Sequence, residues 1–231
     1  MKRFWKQAAV AEGADGWTVE LDGKPLRTPA RHALAVPSAA LARAIAAEWN
    51  DSGETVDPRT MPLTGLANAA VDRVAPASAP FAAGLAKYGE GDLLCYRAES
   101  PRELRARQDQ MWDALLAWGR RRFDVDFETT CGIVHVPQPE ATVRRLAHAI
   151  AALDPYRLSA LSVLVTIGGS LVVALGVIEG AIAADDAWSA VTVDEQWQRE
   201  QWGADAEADA ALDLKRRDFL AAARFVELLG R

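Results

Sequence analysis

The chain has 231 residues, of which 50% are hydrophobic and 25% charged, so it can fold around an ample core. Its formal net charge is -6 at pH 7, and an acidic chain without a basic stripe argues against nucleic acid as the main ligand. Two cysteines lie far apart and outside any CxxC motif, which argues against a disulfide framework. The three histidines show no metal-ligand spacing, so the sequence predicts neither metal nor other cofactor.

Alternating side chains near the N-terminus predict an antiparallel sheet. Residues 17–21 alternate apolar and polar, which is the period of a half-buried strand. Asp22 and Gly23 form a dipeptide typical of a two-residue hairpin turn, so residues 24–28 are predicted as the return strand. Residues 32–36 alternate again and predict a third strand.

Helical signals follow these strands. Ser38 predicts the N-cap of a helix that stops near Gly53, and Trp49 is interpreted as the core anchor between this helix and the sheet. Thr64 predicts the cap of a second, short helix. The proline-containing residues 76–80 are interpreted as a domain junction.

Beyond the junction the spacing of apolar residues is mostly helical. Ser100 and Pro101 predict the start of a long helix, through a capping box with proline at the first helical position. A short extended stretch is predicted over residues 131–136. Further helices are predicted at about 140–153, in the apolar run 159–178, at 194–202 and at about 206–229.

These elements predict an α+β fold. A small N-terminal domain over residues 1–78 would contain antiparallel strands and helices. A larger, all-helical C-terminal domain would cover residues 79–231.

The apolar run from residue 159 to residue 178 contains no charged side chain and is long enough to span a bilayer. Two features favour a pair of buried helices instead. Gly168, Gly169 and Ser170 interrupt the run near its middle, and it lacks the aromatic belt and basic flank of a membrane anchor. We therefore expect a soluble helical hairpin, with a membrane span as the alternative.

Common motifs of catalysis and phosphate binding are absent from the sequence: there is no P-loop, GxGxxG, GxSxG or HExxH. Asp92, Tyr96 and Arg97 lie close together and could serve an active site, although a pair on a helix surface is the more ordinary interpretation. Cys95 lies among apolar and aromatic residues and is predicted to be an inert buried thiol.

The segment 194–203 combines two tryptophans with three carboxylates and three glutamines. Helical spacing places its side chains on two neighbouring faces, one with Glu195, Gln198 and Trp202 and the other with Asp194, Trp197 and Gln201. Indole area beside oriented polar groups suits the anchoring of a protein partner. It suits proton transfer poorly, because no His, Lys or Cys stands beside the acids. The alternative is that both tryptophans are half-buried core residues.

Several unusual fragments follow one another along nearly the whole chain. In order, they are Arg3-Phe4-Trp5-Lys6, Leu21-Asp22-Gly23-Lys24-Pro25-Leu26-Arg27-Thr28-Pro29, Glu48-Trp49, Met61-Pro62-Leu63-Thr64, Asp92-Leu93-Leu94-Cys95-Tyr96-Arg97, Asp194-Glu195-Gln196-Trp197-Gln198 and Trp202-Gly203. Together they resemble the ATP12 chaperone family, assembly factors for the F₁ sector of ATP synthase. The sequence departs from the family pattern mildly, with Asn50 where an acid is expected and Ala114 where proline is expected.

The resemblance implies a non-enzymatic chaperone that binds the unassembled alpha subunit of F₁ before it pairs with beta, and so prevents its aggregation. It implies that no nucleotide is needed and that the small N-terminal α+β domain precedes a larger helical one. The family's acidic position corresponds to Glu195, which therefore joins Asp194, Gln198 and Trp202 as a predicted partner-binding residue. No presequence precedes Arg3, so a bacterial, cytoplasmic member without stable membrane insertion is expected.

Two alternatives stay open at this point. An enzyme with a cryptic site predicts a deep pocket that gathers Asp92, Tyr96, Arg97 and Glu195 with shifted pKa values, whereas a chaperone predicts a broad, shallow groove. A membrane-associated assembly protein would instead use residues 159–178.

Overall fold

A computed structural model describes residues 2–230 of the chain. These residues fall into two compact units. The first comprises the residues up to Ser78 together with Asp154–Ala160 and the residues from Ala221 onward, and the second comprises Ala79–Leu153 and Leu161–Leu220. The first unit thus includes two later segments besides the N-terminal region, and the assignment of domains to 1–78 and 79–231 stays a prediction.

The first unit contains a four-stranded antiparallel sheet. Its strands are β1 (Ala8–Gly13), β2 (Gly16–Leu21), β3 (Lys24–Pro25) and β4 (Ala35–Val36). Strand β2 is central, because β1, β3 and β4 all pair with it. The return strand and the third strand are shorter than the sequence predicts, and β1 is an addition to the predicted sheet.

The predicted hairpin turn between β2 and β3 is confirmed. Asp22 and Gly23 have φ values of 49° and 79°, the left-handed conformation that a tight turn of this kind requires. The Asp22 carboxylate also accepts hydrogen bonds from the backbone N–H groups of Gln7 and Lys6, and these bonds lower its pKa. The turn therefore also fastens the N-terminal segment.

Helix α1 (Ala39–Asp51) packs its apolar side against β1 and β2. The predicted cap is confirmed, because Ser38 Oγ accepts from the N–H of Leu41 at 3.0 Å. Trp49 is buried and meets the ring of Trp5 at a centroid distance of 4.9 Å, so the prediction of a core anchor is also confirmed.

Helix α2 (Pro62–Ala69) has a cap that the sequence does not predict. The Glu48 carboxylate accepts from the N–H groups of Leu63 and Thr64 at 2.8 Å each, and from Thr64 Oγ1 at 2.7 Å. The prediction that Thr64 caps this helix is therefore wrong: its hydroxyl is a donor inside the first turn. A charged carboxylate from a neighbouring helix satisfies the free N–H groups better than a local hydroxyl.

Helical turns continue through residues 70–77 into α3 (Ser78–Ala86), so the predicted junction at 76–80 is itself helical. The remaining helices are α4 (Arg102–Phe123), α5 (Glu140–Ala151), α6 (Pro155–Gly168), α7 (Leu171–Ile178), α8 (Ala184–Val191), α9 (Val193–Trp202) and α10 (Ala206–Leu229). Two short strands, β5 (Tyr96–Arg97) and β6 (Thr130–Cys131), form a parallel pair. The predicted α+β fold, with strands near the N-terminus, is confirmed. The remainder is mostly helical and not all-helical as predicted, because β5 and β6 pair within it.

The start of α4 differs from the prediction. Pro101 occupies the N-cap position, the helix begins at Arg102, and no side chain caps it. The predicted capping box at Ser100 is therefore wrong, because the helix begins one residue too late for its geometry.

The apolar run forms two helices, as predicted. Helix α6 ends at Gly168, and Gly169 has a φ of 66°, which favours glycine and separates the two helices. Ser170 then caps α7, and every residue of α7 is buried. Among residues 2–230 there is no helix that is both long and apolar enough to cross a membrane.

Asp92 joins two parts of the second unit. Its Oδ1 accepts from the N–H of Leu94 at 3.0 Å, and its Oδ2 accepts from the N–H of Val172, at the start of α7, at 2.9 Å. Asp92 is 1% exposed, and burial raises its pKa. Its carboxyl oxygens are thus engaged by backbone donors, and the residue is structural.

We expect Asp92→Ala to lower the free energy of unfolding by about 2–6 kcal/mol, because two buried N–H groups lose their acceptor at about 1–3 kcal/mol each. Asp213→Ala is a matched control on the exposed side of α10 and should change stability by less than about 0.5 kcal/mol. Chemical denaturation measures both. Equal midpoints for the two variants would contradict the structural role of Asp92.

Candidate partner-binding site

Helix α9 is fixed at both ends by local hydrogen bonds. At its start, Thr192 Oγ1 donates to the carbonyl of Trp188 at 2.7 Å and accepts from Gln196 Nε2 at 2.9 Å. At its end, Gly203 has a φ of 87°, and its N–H closes the last turn on the carbonyl of Arg199. Glycine adopts this positive φ at little cost in conformational energy, so the helix ends at this residue.

One side of α9 is fastened to α4 through a buried glutamine. Gln108 is 1% exposed, and its Nε2 donates to Asp194 Oδ1 at 2.7 Å. Its Oε1 accepts from the N–H of Ala98, also at 2.7 Å. The amide therefore ties Asp194 to the segment before α4, and the buried Gln108 amide has no solvent to replace this acceptor.

A second contact with α4 stacks charge on an aromatic ring. The guanidinium of Arg107 lies 5.2 Å from the ring centroid of Trp197 and makes two 2.8 Å bonds to the carboxylate of Glu200. The hydrogen bond to Arg107 lowers the pKa of Glu200. This bidentate guanidinium–carboxylate pair, stacked on the indole, holds the side chains of Arg107, Glu200 and Trp197 in one geometry.

Beneath these contacts lies a buried arginine. Arg97 is 4% exposed, bonds Asp109 at 3.1 Å and Asp113 at 2.8 Å, and lies 5.1 Å from the ring centroid of Trp112. Trp112 Nε1 in turn donates to the carbonyl of Ala190 at 2.8 Å. This layer fixes the end of α8, from which α9 follows directly.

The opposite side of α9 is exposed. Glu195, Gln198 and Trp202, hereafter the α9 face, are all exposed, and Trp202 is 79% exposed. Trp202 borders two grooves. One groove lies between α9 and the start of α10, with Leu212 among its lining residues, and the other is bordered by Leu104 at the start of α4.

The structure separates the four predicted partner-binding residues. Glu195, Gln198 and Trp202 share the exposed α9 face, whereas Asp194 turns inward to Gln108. Of the two tryptophans, Trp197 is half-buried under Arg107.

The sequence interpretation misses Arg107, Gln108 and Glu200, which set the orientation of α9. The only sequence signal for them is the helical period of α4, which puts Gln108 on the same side as Trp112 at i+4. Nothing in that spacing identifies Asp194 as the partner.

The residues of the proposed cryptic enzyme site are engaged separately. Asp92 binds backbone N–H groups, Arg97 binds Asp109 and Asp113, and the Tyr96 hydroxyl lies 3.0 Å from His135 Nδ1.

Three further observations concern the chemistry available. A small cavity beside Glu195 is lined by Leu93 and Trp112 but by none of Asp92, Tyr96 and Arg97. Burial raises the pKa of Cys95 to about 12, as expected for an unreactive thiol. Over residues 2–230, no group of three or more His, Cys, Asp or Glu side chains is arranged to hold a metal ion.

Comparison with known proteins agrees with the fold. Residues 2–120 match the family model described as ATP12 chaperone protein. The crystal structure of Atp12 from Paracoccus denitrificans is 41% identical, with a TM-score of 0.93, over 99% of this chain and 98% of that one. A protein of Agrobacterium tumefaciens described as a candidate chaperone is 36% identical, with a TM-score of 0.93, over 99% of this chain and 86% of that one.

A more distant relative is the mitochondrial protein atp12 of Schizosaccharomyces pombe, 25% identical over 87% of this chain and 74% of its own length. These likenesses define the class of protein, which is an α+β chaperone. The chain belongs to the ATP12 chaperone family. The family predicted from the sequence is thus confirmed, together with the general role in ATP synthase assembly that it carries.

We expect Asp194→Ala to lower the free energy of unfolding by about 1–3 kcal/mol, because the buried Gln108 amide loses its acceptor. Asp194→Asn retains a carbonyl oxygen at Oδ1 and should recover most of that loss. The neighbouring Glu195→Ala, at an exposed position, is the control and should change stability by less than about 0.5 kcal/mol. Denaturant titration compares the three, and a greater loss for Glu195→Ala than for Asp194→Ala would reverse the assignment of the two faces.

Proposed function

We propose that the protein is an assembly chaperone that binds the unassembled alpha subunit of the F₁ sector of ATP synthase through the α9 face and prevents its aggregation. The observation that carries the proposal is the exposure of Trp202 on a helix whose other side is fastened to α4. Membership of the ATP12 family supports the client, because an assembly factor needs a subunit as its partner.

Trp202 has the properties of an interface anchor. A tryptophan buries a large apolar area with only two side-chain torsions, and such residues carry much of the energy of protein interfaces. Exposure of 79% in the free protein leaves that area available. The grooves on either side would accept client side chains around the indole.

Glu195 and Gln198 supply the polar part of the face. Both are exposed, and each offers an oxygen acceptor along the same helix side as the indole. Asp194 contributes indirectly, by holding the helix through Gln108. The arrangement allows an oriented contact around an apolar centre, which is the usual anatomy of a specific interface.

The proposal includes binding without catalysis, in the cytoplasm of a bacterium. The bacterial origin is supported by the identity with the Paracoccus and Agrobacterium proteins. The free cysteines Cys95 and Cys131 suit a reducing compartment.

The client assignment is tested by chaperone assay. The purified full-length protein should suppress aggregation of the alpha subunit at near-stoichiometric ratio without added nucleotide, and should co-elute with it in gel filtration. An unaltered aggregation rate, together with no co-elution, would exclude alpha as the client.

We expect Trp202→Ala to weaken binding to alpha by about thirtyfold or more, since truncation of a central interface tryptophan costs about 2 kcal/mol or more. The melting temperature should barely move, because the indole has few contacts to lose. Phe4→Ala is a matched control at another exposed aromatic, 70% exposed in the first unit. Calorimetric titration gives both affinities, and equal effects of the two substitutions would remove Trp202 from the interface.

We expect Glu195→Lys to damage binding more than stability. An exposed charge reversal changes stability by less than about 0.5 kcal/mol, whereas loss of an interface acceptor costs on the order of 2–5 kcal/mol when it is buried by the partner. Glu12→Lys, at an exposed position on β1, is the control. A large fall in melting temperature for Glu195→Lys alone would show a structural role, and normal binding would place the client site elsewhere.

A further inference from the structure

The net charge of the chain is concentrated beside the α9 face. Seven of the 32 acidic residues and one of the 26 basic residues lie between positions 194 and 213, so this segment carries a formal charge of -6. The whole chain also carries -6, and the remaining residues balance at 25 acidic and 25 basic. The acidic excess lies in α9 and the first part of α10, and it ends before Lys215, Arg216 and Arg217, which follow in α10.

This segment forms a hairpin of two helices around an apolar strip. It runs through α9, the turn after Gly203 and the first part of α10. The groove between the two helices, hereafter the α9–α10 groove, is lined by apolar residues that include Trp202 and Leu212. Charged residues also line this groove: Asp209 is paired there with Arg199, Lys215 lies at the α10 side, and Glu195 has no ion-pair partner among residues 2–230.

Some of the seven acids are engaged inside the protein. Asp194 binds Gln108, Glu200 binds Arg107, and Asp209 binds Arg199 at 3.2 Å. Asp205 Oδ1 accepts from the N–H groups that open α10.

The other three acids are Glu195, Glu207 and Asp213, and within residues 2–230 none of them has an ion-pair partner. All three are exposed. The segment therefore presents uncompensated negative charge next to the exposed side chain of Trp202.

We infer that the α9–α10 groove takes a cationic amphipathic segment of the client, in which apolar side chains pack around Trp202 and flanking arginine or lysine side chains lie against Glu195, Glu207 and Asp213. The inference rests on the proposed function for the identity of the client, but the chemistry of the occupant follows from the groove itself. Apolar contact supplies affinity, and complementary charge supplies orientation and a faster encounter.

The same charge disfavours other occupants. An anionic segment, or an apolar segment flanked by acids, would bring like charges together at Glu195. A second copy of this chain would offer Lys215, which lines the groove, and the following Arg216 as its cationic side chains. However, Arg216 is already paired with Asp185 at 2.7 Å.

The first test separates the chemistry of the occupant from the identity of the client. Two synthetic helical peptides share one leucine and phenylalanine face and differ only in flanking residues, arginine in one and glutamate in the other. The full-length protein should bind the arginine peptide at least about tenfold more tightly at low ionic strength. Trp202→Ala should weaken that binding. Equal affinity for both peptides would overturn the inference.

The second test uses the alpha subunit and measures the association rate. Glu207→Gln combined with Asp213→Asn removes two charges from the segment without altering the groove lining. The association rate constant should fall by about three- to tenfold near 0.02 M ionic strength and should match that of the unchanged protein near 0.5 M, where charges are screened within about 4 Å. Glu12→Gln combined with Asp15→Asn removes the same charge from the exposed β1–β2 hairpin and should leave the rate unchanged.

The outcomes are distinguishable. If alpha binds but neither peptide preference nor salt dependence is found, the cationic occupant is wrong and the proposed client stands. If the arginine peptide is preferred but alpha does not bind, the groove chemistry is right and the proposed client is wrong. A dimer of the protein that dissociates with salt and competes with the arginine peptide would assign the groove to a second copy and overturn the inference.

Discussion

The hydrogen bond between Gln108 and Asp194 is the contact on which the orientation of the proposed binding surface depends. A buried amide has to find partners, and Gln108 finds them in the N–H of Ala98 and the carboxylate of Asp194. That choice fixes the rotation of α9 about its axis. With Asp194 held against α4, Glu195, Gln198 and Trp202 lie on the neighbouring side of the helix, which is exposed.

The remaining contacts of α9 make this orientation rigid. The guanidinium of Arg107 stacks on the ring of Trp197 and forms a bidentate ion pair with Glu200. Gly203 ends the helix immediately after Trp202. An exposed pair of this kind contributes at most about 1 kcal/mol to stability. Its value is geometric, because a surface that is already ordered loses less conformational entropy when a partner binds. Weak polar contacts thus position α9, and the large apolar side chain of Trp202 remains exposed.

Much of the architecture is predictable from local patterns, and two of the failures share one cause. The turn at Asp22 and Gly23, the cap at Ser38 and the break at Gly169 depend on neighbouring residues, and the sequence shows all three. Strand β1 escapes prediction because its sequence, AAVAEG, is rich in alanine and is held by pairing with β2. The cap of α2 comes from Glu48, fifteen positions before Leu63. In these two cases a contact with another element overrides a weak local preference.

The proposed binding surface also combines features that the local sequence predicts with features set by distant contacts. Helical periodicity places Glu195, Gln198 and Trp202 on one face and Asp194 on the next. In the structure the first three are exposed, and Asp194 contacts Gln108. Which face meets the core depends on Gln108, 86 residues earlier, and no local pattern contains that information.

The placement of charge relative to Trp202 bears on how a chaperone lets its client go. Apolar contact around an indole slows dissociation, whereas exposed charges such as Glu207 and Asp213 act mainly on the rate of encounter. An interface that divides these tasks can capture an aggregation-prone subunit quickly without holding it with extreme affinity. A later partner that covers the client's apolar segment more completely then displaces the chaperone, because the charges that speed capture add little to the energy that must be overcome. If the α9–α10 groove is the client site as proposed, its anionic flank favours fast capture and leaves release to competition for the apolar contact.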